Sequence, residues 1–172
     1  MSHSAADLSF CWADQPELAV QIGAFFSANA DAHYISHSEL QSGRAIAPGQ
    51  WDPDLQQMIQ AEAEHILQNN TLDGKNDAIA CAWLKDQLVG IAFVGFSESK
   101  CQRFATLEDM IIAPTVRGMG LGQRFIDWIA ASVKDYGVSR IFLESGKGNV
   151  DAHHFFEKVG FQLTSVVMMR DL

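Results

Sequence analysis

What this 172-residue sequence lacks narrows its reading first. No apolar run approaches the ~20 residues that a membrane-spanning helix needs. The opening MSHSAADLSF has neither the basic start nor the hydrophobic stretch of a secretory signal. Three cysteines, Cys11, Cys81 and Cys101, are odd in number and carry no metal-binding or redox spacing. A reducing, cytoplasmic setting is the expectation. Positive charge is scarce: 12 Lys and Arg stand against 21 Asp and Glu, a formal net charge of −9. A nucleic-acid binder needs clustered cations to displace counterions from phosphates, so neither nucleic acid nor membrane is expected as a partner. An acidic balance does tolerate a cationic small molecule. Repeats, low-complexity tracts and a linker are absent too, so one domain over 1–172 is expected.

What is present is ordinary globular composition, 48% hydrophobic and 19% charged, with a change of texture near Asn70. Before it, LSFCWA alternates like a first strand. PELAVQIGAFFSAN places Leu18, Ile22, Phe25 and Phe26 on one helical face. ADAHYISHSELQSGRAIAPGQW has no clean period and reads as short helix and loop. DPDLQQMIQAEAEHILQNN returns to helical spacing with Leu55, Met58, Ile59, Ala63 and Ile66. After it, DAIACAWL, a KDQ turn and LVGIAFVGFSE form a hairpin, FATLEDMIIAP a third strand ended by Pro114. A helix with Phe125, Trp128, Ile129 and Val133 on one side follows, closed by Gly137. RIFLES reads as a strand, NVDAHHFFEKVG as a short helix and FQLTSVVMMRD as a last strand. The order predicts an α+β fold: a mostly antiparallel central sheet, a β-loop-α-β unit and flanking helices.

Between the third strand and the long helix stands RGMGLG, Arg117 to Gly122. Glycine costs a helix about 1 kcal/mol relative to alanine, so three at a helix start need a reason. One is a tight turn. The other is an anion cradle: N–H groups at a helix start are unpaired and partly positive, glycine permits a concave nest, and Arg117 adds charge at its mouth. A nucleoside-triphosphate loop would need a terminal Gly-Lys-Ser/Thr, but Gln123 and Arg124 follow Gly122. For a dinucleotide fold, Glu144 lies about 20 residues on, where a ribose-binding acid belongs. Yet the third glycine of that fingerprint falls on Gln123, and the preceding strand continues a meander.

IAPTVRGMGLG resembles the coenzyme A pyrophosphate loop of the GNAT N-acetyltransferase superfamily, and NVDAHHFFEKVGF, from Asn149 to Phe161, is similar to that family's Asn-x-x-Ala-x-x-Phe-Tyr-x-x-x-Gly-Phe segment. The two come in the family's order, one helix and one strand apart. The resemblance implies a GNAT-like fold and acetyl-CoA as cosubstrate, with no metal. It implies that the pyrophosphate is held by backbone N–H groups of Gly118, Met119, Gly120, Leu121, Gly122 and Gln123 beside Arg117. It further implies that the pantetheine arm lies along the edge of Met110, Ile111 and Ile112, and that Asn149 contacts the coenzyme. Their alternative roles are a strand core for the three apolar residues and a helix N-cap for Asn149.

The implied chemistry is aminolysis of a thioester. An alkyl amine with a pKa near ~10.4 is mostly protonated at neutral pH, a cost of roughly 4–5 kcal/mol, so a base is useful. Leu107-Glu108-Asp109 resembles the Leu-Glu-Asp that precedes the loop in polyamine acetyltransferases, which implies Glu108 as general base; a paired or exposed strand carboxylate is the alternative. Asp109 would bind a cationic amine or pair structurally. One position departs from the family: the tyrosine that serves as general acid is Phe156 here, which cannot donate a proton. His153 and His154 flank that position, and since consecutive helix positions diverge by about 100° only one of them can point inward. Tyr34 lies in the segment where the family's acceptor often binds and reads as loop packing or substrate lining. His33 and His37 have the spacing of a metal pair but no third ligand. The expected function is transfer of acetyl to a small primary amine. A protein or peptide acceptor, or a non-catalytic acyl-CoA-binding regulatory module, is the alternative. The family often forms homodimers, and the apolar SVVMM tail suits either an interface or a buried strand.

Overall fold

The computed structural model describes residues 8–69 and 76–172. The chain forms two compact units. One comprises the described residues up to Ala30 together with Asp54–Glu144; the other comprises Asp31–Pro53 and Ser145–Leu172.

The first unit is built on a five-stranded sheet whose strands, in spatial order, are β1 (Leu8–Trp12), β4 (Ala78–Leu84), β5 (Gln87–Glu98), β6 (Arg103–Ile112) and β7 (Val138–Leu143). The first three pairings are antiparallel. β6 and β7 run parallel, which needs the long crossover connection that a helix between them supplies. Ala78–Ala82 and Leu88–Gly95 are buried without alternation, so both faces of the middle of the sheet are covered. Helices α1 (Leu18–Asn29) and α3 (Leu55–Asn69) pack on each other, and Gly23 lies in their contact. A Cβ there would stand 2.8 Å from the Gln56 carbonyl oxygen.

Helix α4 (Leu121–Asp135) buries Leu121, Phe125, Ile126, Ile129 and Val133. Phe125 stacks on Phe10 of β1 at 5.3 Å, and Trp128 meets Trp12 at the same distance. These periodic apolar positions are why α4 lies on the sheet. Gly137 ends it with φ of 80°, donating its N–H to the Lys134 carbonyl. On the other side of β4, Cys81 is buried opposite Cys11, and burial pushes its thiol pKa up to about 12. No described helix is long and apolar enough to cross a membrane.

The second unit holds α2 (His37–Ser42), the small hairpin β2 (Ala45–Ala47) with β3 (Gln50–Trp51), and α5 (Val150–Lys158). Ser36 and Glu39 form a capping box at the start of α2, the Ser36 N–H donating to Glu39 Oε2 at 2.7 Å. The hairpin lies in a stretch read from sequence as helix and loop. Its strands are too short to show a period, and Pro48-Gly49 makes the turn with Gly49 at φ 80°.

One expectation is overturned. Phe161–Leu172 pairs with no strand and carries no regular structure. Leu163, Val166, Val167, Met168, Met169 and Leu172 are all exposed, Met168 at 92%. An apolar segment on both faces reads as a buried strand only if a neighbour supplies its hydrogen bonds and cover. Among the described residues none does.

Candidate active site

Chemistry-bearing residues of the first unit gather where β6 runs through the glycine loop into α4. Pro114 ends β6 because it has no N–H for the ladder, and Pro114–Val116 makes one 3-10 turn. Arg117 to Gly120 then turn the chain, with Gly118 at φ 78° and Gly120 at φ 73°. Left-handed backbone disfavours any residue with a Cβ, so glycine is required by conformation at both positions. A Cβ at either glycine would meet nothing within 4 Å. The glycines are therefore not there to let the fold pack; their φ requires them in the turn, and the space in front of them is open.

Gly120 occupies the N-cap of α4, and no side chain caps the helix. The first-turn N–H groups of Leu121, Gly122 and Gln123 thus point out of an uncapped helix end with its partial positive charge. Arg117 and Met119 are exposed beside them, whereas the Leu121 side chain is buried. The donor set suits an anion: main-chain N–H groups, one exposed guanidinium, and no carboxylate within the loop.

Strand β6 contributes an edge. β5 pairs with it through Ile112, but β7 pairs only with Arg103–Leu107. From Glu108 to Ile112 the strand therefore has a strand neighbour on one side only among the described residues. Met110, Ile111 and Ile112 lie in this stretch, with the Ile111 side chain buried.

Glu108 sits at a break in the ladder. Asp109 pairs with Phe93 and Leu107 with Val94, which leaves Glu108 as the extra residue of a bulge. Bulges re-aim a side chain, and Glu108 is exposed while both its neighbours are buried. Its carboxylate and that of Asp77, just before β4, lie around the same point of β5, above Gly95. Asp109 is only 2% exposed and engaged within the fold, which favours its pairing role over contact with an incoming amine. Neither the bulge nor Asp77 was visible in the sequence, because both depend on register.

The remaining candidates lie in the second unit. Asn149 is the N-cap of α5, but its side chain makes no capping hydrogen bond; the cap is positional only. Phe156 packs edge-on against Phe155 and Phe161, with centroids 5.1 and 5.5 Å away, and fills an aromatic cluster. His153 is half-buried and His154 exposed. Tyr34 packs on Trp51, and His33 Nδ1 lies 3.5 Å from Asp31 Oδ1 on the surface. Among the described residues no group of three His, Cys, Asp or Glu is placed to hold a metal. The Ser145 hydroxyl is buried with no hydrogen-bond partner among the described residues, a cost of about 1–3 kcal/mol, and nothing in the local sequence signals it.

The sequence profile of the family described as "Acetyltransferase (GNAT) family" matches residues 43–161. No curated protein matches the chain in sequence. Solved structures do match in fold. A transcriptional regulator from Bacillus halodurans C-125 is 18% identical with a TM-score of 0.70, over 96% of this chain and 99% of that one. An aminoglycoside N-acetyltransferase in complex with CoA is 15% identical with a TM-score of 0.66, over 96% and 94%. A ribosomal-protein-alanine N-acetyltransferase from Brucella melitensis biovar Abortus 2308 is 15% identical with a TM-score of 0.66, over 95% and 99%. At these identities the likeness is one of fold.

Proposed function

The chain belongs to the GNAT acetyltransferase family and is thereby an acyltransferase; from that premise we propose that it moves an acetyl group from acetyl-CoA to the primary amine of a small molecule. The observation that carries the proposal is the continuity of three features in one compact unit: an uncapped helix start behind two left-handed glycines, a stretch of β6 that runs on past the end of its pairing with β7, and an exposed carboxylate on a bulge of that same strand. The family match spans both units, and 1–172 is read as one acetyltransferase domain in the cytoplasm.

Acetyl-CoA supplies an acetyl group already activated as a thioester. The residues of this chain do the rest. N–H groups of Gly118 to Gln123 donate to the diphosphate beside Arg117, each charge-assisted bond being worth roughly 1.5–3 kcal/mol. The Met110–Ile112 edge aligns the pantetheine arm in the manner of an added strand, and a main-chain N–H of this stretch polarises the carbonyl under attack. Glu108 accepts a proton at its carboxylate from the substrate ammonium, directly or through water. Phe156 donates none, so the departing thiolate, with a reference thiol pKa of ~8.5, is protonated by solvent.

Support for a small, cationic acceptor comes from the net charge of −9, from the pair of carboxylates above Gly95, and from the fold shared with an aminoglycoside acetyltransferase. A protein N-terminus as acceptor has the fold shared with the ribosomal-protein-alanine enzyme in its favour. The exposed tail supports a homodimer: six large apolar side chains beyond Phe161 need cover, and a second copy supplies it. Thiol release from acetyl-CoA, measured with polyamines, aminoglycosides and N-terminal peptides, tests the proposal. Turnover with the first two classes is expected. Turnover with peptides alone would transfer the acceptor to the second reading, and none with any amine would refute the function.

A further inference from the structure

Gly95 in β5 has no left-handed φ, so its backbone does not require glycine. It is buried in mid-strand opposite Thr106, a place where glycine weakens a strand. The reason for it is spatial. A Cβ built on Gly95 would stand 2.7 Å from Glu108 Oε1 and 3.3 Å from Glu108 Cδ, with Asp77 Oδ1 at 3.4 Å. All three nearest atoms belong to carboxylate groups and none to the backbone. Elsewhere in the same unit the obstacle is different: at Gly23 the nearest atom is the Gln56 carbonyl oxygen at 2.8 Å, which is fixed in a helix.

We infer that Gly95 is a positioning residue for the acetyl transfer, a notch in β5 that seats the carboxylate of Glu108. This rests on the reading of Glu108 as the base. The bulge at Glu108 turns the side chain out of the ladder, and the missing Cβ of Gly95 gives its carboxylate somewhere to lie. Asp77 closes the notch on one side with a like charge, so a carboxylate expelled from it moves away from both. A methyl in the notch displaces only the far end of a flexible side chain, and the fold has no need to shift. Misplacing a reacting group by about 1 Å costs on the order of a hundredfold in rate.

The test is Gly95→Ala in the full chain, with Glu108→Gln, the double variant and Gly23→Ala beside it. Turnover is followed by thiol release from acetyl-CoA with whichever of spermidine, kanamycin and an N-terminal alanine peptide the wild type acetylates fastest. G95A is expected to lower kcat by about 10- to 100-fold while KM for acetyl-CoA stays within about twofold and Tm stays at or above the wild-type value. G23A is expected to lose Tm. In the E108Q background, adding G95A is expected to change kcat by less than about twofold, because a residue acting through Glu108 has nothing left to act on. A crystal structure of G95A is expected to show the Glu108 carboxylate moved with the β5 and β6 backbones in place. An unmoved carboxylate, an unchanged kcat beside an impaired E108Q, or unfolding of G95A would each overturn the inference. If E108Q itself keeps full kcat, the general-base reading fails instead, and the crystal structure still decides the notch.

Discussion

Replacing Gly120 by alanine separates the two demands that the loop places on its glycines. The first is conformational. Gly120 has φ 73° and ψ 6°, where an L-residue costs about 1–2 kcal/mol, and the added methyl meets no atom within 4 Å. Strain alone therefore lowers Tm by about 2–8 °C for a chain of this size. The second is the ligand. The methyl projects into the open space before the helix start, where the diphosphate is proposed to sit. Loss of one charge-assisted contact worth roughly 1.5–3 kcal/mol weakens CoA by about 10- to 150-fold. Gly43 provides the matched control: its φ is 80° and ψ 6°, its Cβ would also meet nothing, and it caps a helix with no role in the cradle. Isothermal titration with CoA, well below the Tm of every variant, is the assay. Gly120→Ala and Gly43→Ala are expected to lose similar stability, and only the former to lose affinity. Equal CoA affinity in both variants and the wild type would refute the cradle.

Other consequences follow from the same structure. Glu108→Gln is expected to leave the Kd for CoA within about twofold while lowering kcat by about 10²-fold or more and flattening its rise with pH; an unchanged pH–rate profile would remove Glu108 from the chemistry. Val167→Asp with Met169→Asp is expected to convert a dimer to a monomer in light scattering, and a wild type already monomeric at tens of micromolar would refute the dimer. The buried Cys81 thiol, raised by desolvation from 9.0 to about 12, binds its proton more tightly folded than unfolded. Its stabilising contribution is intact below pH 9 and is lost between pH 9 and 12, at about 1.4 kcal/mol per unit. Cys81→Ser is expected to remove that slope in urea titrations, and an identical slope in the variant would contradict it.

Much of this architecture was legible because its signals are local. The apolar spacing of Leu121, Phe125, Ile129 and Val133 fixes one face of α4, and Pro114 and Gly137 mark where neighbouring elements stop. The glycine loop was legible for the same reason: a left-handed φ has to be carried by the residue itself. What escaped depends on partners distant in sequence. The bulge at Glu108 exists only relative to Phe93 and Val94 of the facing strand, and Gly95 looks like an unexplained strand weakness until Glu108 is placed above it. The tail failed in the opposite sense. Its apolar residues describe a strand buried on both faces, but a pattern states a requirement for cover and cannot supply the neighbour. Asn149 lies between these cases, with its cap position readable from α5 and its missing side-chain bond not.

The most direct measurement is a crystal structure of the protein with CoA. Diphosphate oxygens are expected within hydrogen-bonding distance of the main-chain nitrogens between Gly118 and Gln123, with the thiol end beside β6 beyond Leu107. A coenzyme bound at another surface, with no phosphate oxygen near those nitrogens, would contradict this placement.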